Sequence, residues 1–373
     1  MKVLHTSDWH LGHVLYDFDR TEEQVFMMEQ MEQMVVDLQP DAFLISGDVF
    51  NTSAPSASIQ HKFADSILRM HIAKPDMNII VTAGNHDSQS RHEIFRSLWE
   101  TANVQMIGTL DIEHPENHIV KVGEKGFVVA VPYANERFMP TDFFSHLEQY
   151  VAERNSFNLP VILMAHTTVA GCDISGHQGA NELTVGGIDS VGIDCFGSYF
   201  DYLALGHIHK PQNISAKARY CGTPMSVSFD EQFEHSVTLV NLERHGDLPI
   251  LATLPVEEMR PLVTLPAHDP LPFEEACQLL HDFPDHERVY IRLNVKVEDF
   301  LPPNANVYAE DAARGKDVRF CYISVQRNPH TTRESGGMTV SELQTINPMD
   351  LARKYTTDKG LPFDEELFKS CEP

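Results

Sequence analysis

Met77-Asn78-Ile79-Ile80-Val81-Thr82-Ala83-Gly84-Asn85-His86-Asp87 joins a short β-branched apolar run to a glycine and three polar residues. Pro75 bounds the run upstream, so it reads as a buried strand that stops in a tight turn. Such a turn lifts the Asn85, His86 and Asp87 side chains off the end of a strand. Open α/β sheets place their chemistry at the carboxyl ends of strands, and other apolar runs in this chain stop in the same way. Val3-Leu4-His5-Thr6-Ser7 runs into Asp8-Trp9-His10, and Ala42-Phe43-Leu44-Ile45-Ser46 into Gly47-Asp48. Val161-Ile162-Leu163-Met164-Ala165 delivers His166, and Tyr202-Leu203-Ala204-Leu205 delivers Gly206-His207-Ile208-His209.

Working outward, the spacing predicts strands at 2–8, 41–48 and 77–84, alternating with helices at 21–38, 58–71 and near 91–101. In the first helix Val25, Met28, Met31, Val35 and Leu38 recur at helical spacing, which marks core packing, and Pro40 closes it. The alternation implies a parallel sheet with helical crossovers. Strands follow near 104–108, 118–122, 127–133 and 160–166, with a helix at about 140–154. Segment 171–198, with seven glycines and little periodicity, reads as a long loop between two strands that carry polar ends, a place where function concentrates. Strands at 199–209, 219–229 and 236–243 are expected in a second sheet. The expected fold class is α/β: a two-sheet sandwich flanked by helices, with a small α/β capping domain and a helical C-terminal tail.

Pro255, Pro261, Pro266, Pro270 and Pro272 mark a change of texture, placing a boundary between a first unit at 1–258 and a second at 259–328. The second holds a helix at 273–282, an alternating strand at 289–297, a helix at 303–314 and a strand at 318–326. In the remaining 329–373, Val340, Leu343, Leu351, Tyr355, Phe363, Leu367 and Phe368 supply apolar anchors that could dock a partner or fold back on the body.

Composition sets outer limits. The 373 residues, 42% hydrophobic, suffice for roughly two or three domains. No apolar run approaches the ~20 residues of a membrane span, and the amino terminus opens on a strand, so a cytoplasmic protein is expected. Cys172, Cys195, Cys221, Cys277, Cys321 and Cys371 lie far apart with no Cys-x-x-Cys, and are expected to be reduced and mostly core. The net charge is −26, and the only adjacent basic pair is Arg353-Lys354. That excludes an autonomous duplex-binding protein: a nucleic-acid substrate would need a partner to hold it. Equally, −26 could serve solubility alone.

Two residues apart at a strand end, Asp8 and His10 can point to one side, and so can His207 and His209. Carboxylate, imidazole and the Asn85 amide oxygen, without thiolate, suit borderline-hard divalent cations such as Mn, Fe, Zn or Ni. Asp48, with two oxygens and a place between the strands of Asp8/His10 and Asn85, suits a bridge. Two ions about 3.5–4 Å apart would clamp a phosphoryl oxygen. His86, facing out of its turn, is then free to protonate the leaving oxygen. Asp87 fits the turn, or the His86 tautomer, better than a metal. Taken singly these motifs are weak, since Asp-x-His and Gly-Asp recur by chance and a lone His166 reads as structural. It is five blocks in order, each closing an apolar run, that carry the assignment. His5 reads as core, and His13, His61, His71 and His92 as surface.

These motifs together resemble the calcineurin-like metallophosphoesterase superfamily. The flanks Leu4-His5-Thr6-Ser7-Asp8-Trp9-His10-Leu11-Gly12, Ser46-Gly47-Asp48-Val49-Phe50 and Tyr220-Cys221-Gly222-Thr223-Pro224 are similar to its break-repair nuclease branch. The resemblance implies a Mn-dependent exonuclease and endonuclease acting on DNA ends and hairpins. It also implies an SMC-like ATPase partner that shares the DNA-binding surface, with this chain as a homodimer within a heterotetramer. Carried onto this sequence, one metal would take Asp8, His10, Asp48 and His209, and the other Asp48, Asn85, His166 and His207, with His86 catalytic. Asn51 stands where archaeal relatives place a supporting histidine. The alternatives are a small-substrate phosphatase or phosphodiesterase of the same superfamily, against which the unit after 258 and the tail count, and a non-catalytic binding protein, against which the intact ligand set counts.

Overall fold

The computed structural model describes residues 1–134, 139–175, 190–298 and 300–327. Its strands, in chain order, are β1 (Lys2–Thr6), β2 (Val14–Leu15), β3 (Phe18–Asp19), β4 (Ala42–Ser46), β5 (Asn78–Thr82), β6 (Val104–Ile107), β7 (Ile119–Val122), β8 (Gly126–Ala130), β9 (Val161–His166), β10 (Tyr202–Gly206), β11 (Gln212–Asn213), β12 (Ala218–Tyr220), β13 (Ser236–Asn241), β14 (Ile250–Pro255), β15 (Leu262–Leu265), β16 (Val289–Val297) and β17 (Val318–Arg327). The α-helices are α1 (Thr21–Leu38), α2 (Ala57–Ala73), α3 (Gln89–His92), α4 (Arg96–Glu100), α5 (Phe143–Arg154), α6 (Phe273–His281) and α7 (Ala305–Ala313).

Two six-stranded sheets form the body, in the orders β14-β13-β1-β4-β5-β6 and β11-β12-β10-β9-β8-β7. The strands β1, β4, β5 and β6 run parallel, as do β8, β9, β10 and β12. The inner parallel strands are buried on both faces, so successive residues serve different layers. On β1 and β4, Val3, Ala42 and Leu44 meet Val128, Ile162, Met164 and Tyr202 of the other sheet. Their neighbours Leu4, Phe43 and Ile45 pack outward on Met28, Met31, Ile67 and Met70 of α1 and α2. Helix α5 covers the outer face of the second sheet through Phe143, Leu147 and Val151. The two parallel sets therefore present their carboxyl ends to one common edge.

After β14 the chain builds a separate three-stranded parallel sheet, β15-β16-β17. Along β16, Val289, Ile291, Leu293, Val295 and Val297 pack on α6 and α7. The intervening Tyr290 joins Leu15 and Phe229 of the larger unit. Its hydroxyl donates to buried Glu23 at 2.8 Å, and Arg319 reaches the same carboxylate at 3.2 Å.

Several expectations are corrected. The expected strand 236–243 is β13, which joins the first sheet antiparallel to β1 and not the second. The strand expected over 219–229 stops at Tyr220, because Gly222 takes φ +77° and Pro224 offers no amide to a ladder. The helix near 91–101 is two short ones, with Glu93 between them accepting from the Gly108 and Thr109 amides at 3.0 and 2.8 Å. Strands β14 and β15 were not expected. Among the described cysteines only Cys221 is fully buried, and Cys195 is exposed. His92 is buried, edge-on to Phe50, and His13 is half-buried. Part of loop 171–198 and all of 329–373 lie outside the described residues.

Candidate metal centre

Strand ends of the two sheets supply the cluster. Asp8 and His10 follow β1, Asp48 follows β4, and Asn85 and His86 follow β5; the second sheet gives His166 from β9 and His207 and His209 after β10. Backbone bonds tie the turns together, the Asp8 amide donating to the Gly47 carbonyl at 3.0 Å and the His10 amide to that of Asp48 at 3.1 Å. Asp8, His10, Asp48 and His207 all sit at positive φ, at +53°, +43°, +50° and +96°. Left-handed backbone at a non-glycine residue costs on the order of 1–3 kcal/mol and persists only where its surroundings hold it. Four such residues in one cluster mark an imposed geometry.

The glycines of the motifs have a steric reason. A Cβ on Gly84 would overlap the Asp48 carboxylate and amide, and one on Gly47 the His166 ring.

The ligand atoms converge. Nε2 of His10 lies 3.1 Å from Nε2 of His209 and 4.0 Å from Asp48 Oδ2. His166 brings Nε2 to 3.4 Å from Asp48 Oδ2 and 3.0 Å from Asn85 Oδ1, which is also 3.1 Å from His207 Nδ1. Asp8, His10 and His209 form one group able to grip an ion, Asp48, His166 and His207 a second, and His10, Asp48 and His86 a third, with ligand atoms within 4.8 Å in each. Asp48 thus belongs to two of the three groups and lies between His10 and His166.

Partners behind the ligands fix which nitrogen faces inward. His166 Nδ1 donates to the Ser46 carbonyl at 2.8 Å, turning Nε2 toward Asp48. His209 Nδ1 meets the Glu231 carboxylate at 2.7 Å; a carboxylate only accepts, so Nδ1 carries the hydrogen and Nε2 is the lone-pair atom. Two imidazole Nε2 atoms facing each other at 3.1 Å, beside buried carboxylates and an amide oxygen, fit a divalent cation well. His86 Nδ1 donates to the Asn51 carbonyl at 3.1 Å, so position 51 acts through its backbone. Asp87 accepts from the Gly84, Val49 and Phe50 amides at 2.9, 3.1 and 2.9 Å and pins the β4 and β5 turns together. Asp8 accepts from Ser7 Oγ and from the His207 amide at 3.1 Å.

Burial pulls the His166 imidazole down, yet Asp48 and Asp8 beside it prevail and hold it up at about 9. Burial pushes the Asp48 carboxyl up, and His166 and His10 outweigh it, keeping it well below the usual carboxylate range. For Asp8 and His10 burial prevails, raising the carboxyl and lowering the imidazole. A cation is the natural counter-charge for such a site.

Every predicted ligand and His86 thus reach one site, while Asn51 and Asp87 stand behind it. Glu231 was missed: it lies 22 residues from His209 in a loop with no periodic signal. His5 is core as expected, held between Tyr202 at 2.9 Å and Ser46 at 3.2 Å.

A family model described as calcineurin-like phosphoesterase matches residues 1–211, and the chain belongs to that family. It is similar to proteins that carry the name of the SbcD component of the nuclease SbcCD. That of Rhodobacter capsulatus is 27% identical across 97% of this chain and 93% of its own length. That of Bacillus subtilis is 29% identical across 81% and 80%, and that of Escherichia coli K12 26% across 81% and 79%. No helix among the described residues is long and apolar enough to cross a membrane.

Proposed function

We propose that this chain is a metal-dependent DNA exonuclease and endonuclease that cuts phosphodiester bonds at ends and hairpins, serving DNA repair, recombination and replication. The observation that carries the reading is the pair of ligand groups flanking Asp48 with His86 beside them. In this reading Asp8, His10, Asp48 and His209 hold one divalent ion, and Asp48, Asn85, His166 and His207 the other, with Mn the preferred metal. Such a pair, when bound, polarises the phosphoryl group and supplies hydroxide at neutral pH. The protein's own residues do the rest. Asp48 and Asn85 hold the two halves of the site in register, and His86, oriented by its Nδ1–H bond to the Asn51 carbonyl, would as the imidazolium give its Nε2 proton to the leaving oxygen.

Relatives aligned across 79–93% of their own length carry the nuclease name, which favours this substrate over a small phosphate ester. We further propose a division into a nuclease unit at 1–258, a DNA-recognition cap at 259–328 and a partner segment at 329–373. The partner is an SbcC-like SMC-family ATPase, with this chain as a homodimer in a cytoplasmic heterotetramer; it would offset the net charge of −26 on DNA. The test is a labelled DNA hairpin and a chromogenic phosphodiester, each with Mn and with chelator, with and without the ATPase. Mn-dependent hairpin cleavage is expected. Hydrolysis of the small ester with no cleavage of DNA under any condition would move the chain to the phosphatase class.

A further inference from the structure

The support of His209 runs out of the nuclease unit. Glu231, whose carboxylate is shut off from solvent, gives Oε1 to His209 Nδ1 at 2.7 Å and accepts the Val227 amide on Oε2 at 2.8 Å. The loop before it is gripped from the other side by Arg292 of β16. That guanidinium donates to Asp230 Oδ1 at 2.7 Å, to the Phe229 carbonyl at 3.2 Å, to Tyr322 Oη at 3.2 Å and to Thr264 Oγ1 at 3.1 Å. It also lies 5.3 Å over the Phe229 ring. Arg292 stands on the β16 face opposite α6 and α7, so the small module's sheet bears directly on the loop that carries Glu231.

We propose that Glu231 is a positioning residue of the metal centre, and that Arg292, by holding Phe229 and Asp230, sets where Glu231 stands. Glu231 fixes His209 as the Nδ1–H tautomer and makes Nε2 a stronger donor toward a cation shared with Asp8 and His10. The small module then contributes to metal affinity as well as to substrate contact. This rests on the metal-centre reading above. A carboxylate behind a ligand imidazole typically changes metal affinity by about 10–100-fold, and a loop clamp acting through it should change it by less.

The test is Mn binding to the full chain, followed by calorimetry and by the spin resonance of free Mn, in wild type, Glu231→Gln, Glu231→Ala, Arg292→Met and Glu258→Gln. Glu258 accepts from the Ser226 amide on the same loop at 2.8 Å and is the control for loop packing. One of two ions should weaken by about 10–100-fold in Glu231→Ala and by less in Glu231→Gln, which keeps the shape and loses the charge. Arg292→Met should weaken the same ion, and should add little in the Glu231→Gln background, because the two act in series. Glu258→Gln should bind as wild type. Wild-type affinity in both Glu231 variants, or an equal loss in Glu258→Gln, overturns the proposal. A wild-type chain that takes up no Mn overturns it together with the metal-centre reading. Two ions bound without DNA cleavage would overturn the nuclease reading alone.

Discussion

At the scale of single residues, the proposed roles of His86 and His166 can be tested apart. His86 stands edge-on to His10, ring centroids 4.9 Å apart, with Nδ1 committed to the Asn51 carbonyl. His86→Ala should keep both ions yet lose ~10²–10⁴-fold in turnover, the usual worth of a general acid. The deficit should shrink on nitrophenyl esters, whose leaving group needs no proton. Equal losses on DNA and on nitrophenyl esters would assign His86 another role. His166 carries a proton in the metal-free protein, since it titrates at about 9 beside Asp48. A cation must displace that proton, so apparent Mn affinity should climb up to about tenfold per pH unit between about pH 6.5 and 8.5. Calorimetry in two buffers of unlike ionisation enthalpy would count the proton released; a flat affinity would place His166 outside the ligand set. In chelated protein the sign reverses. The raised His166 contributes stability that is complete below about 6.5 and lost as pH rises through about 9, while the depressed Asp48 contributes above its ordinary 3.8 and loses that as pH falls. The melting temperature lost by metal-free His166→Ala relative to wild type should therefore be largest between those limits.

At the scale of elements, local pattern was legible and long-range pairing was not. The apolar runs that became β1, β4, β5, β9 and β10 announced themselves because both faces of each are buried. Helix α1 matched its expected bounds because Met28, Met31 and Val35 share one stripe. Ser236–Asn241 looked like any alternating strand, and only pairing with Lys2–His5, more than 200 residues away, decides its sheet. Ile250–Pro255 was invisible because an edge strand with mostly exposed positions lacks a clean period. The candidate ligands were legible for the reason the strands were: they close apolar runs. Glu231 closes nothing, and its role exists only once His209 has been placed. The turn glycines offer a test at this scale. Gly84→Ala puts a methyl group against Asp48 Oδ1 and its backbone amide. Overpacking of this kind costs about 1–3 kcal/mol, and here it would displace the Asp48 carboxylate. Metal content and thermal stability should fall together in Gly84→Ala. Normal occupancy in the variant would show that the β5 turn can yield without moving Asp48.

At the scale of the whole molecule, the charge sets the remaining problem. A chain of net charge −26 repels a DNA backbone, yet the proposed chemistry needs a phosphodiester delivered to the common edge of two sheets. The small module is tied to the body by Tyr290, Glu23 and Arg319 on one side and by Arg292 on the other, so it is held as part of the catalytic unit. The segment after Arg327 has a different character in sequence. Val340, Leu343, Leu351, Tyr355, Phe363, Leu367 and Phe368 are the apolar residues of the proposed partner segment. Truncation after Arg327 should therefore leave Mn binding and hydrolysis of small phosphodiesters within about twofold of the full chain, because every residue of the ligand groups lies upstream. It should abolish co-purification with an SMC-family ATPase and ATP-dependent cleavage of duplex ends. The two losses must go together. A truncated chain that still binds the ATPase at full-length affinity would place the dock on the folded body, and one that loses Mn binding would make the segment a packing element of the nuclease unit itself.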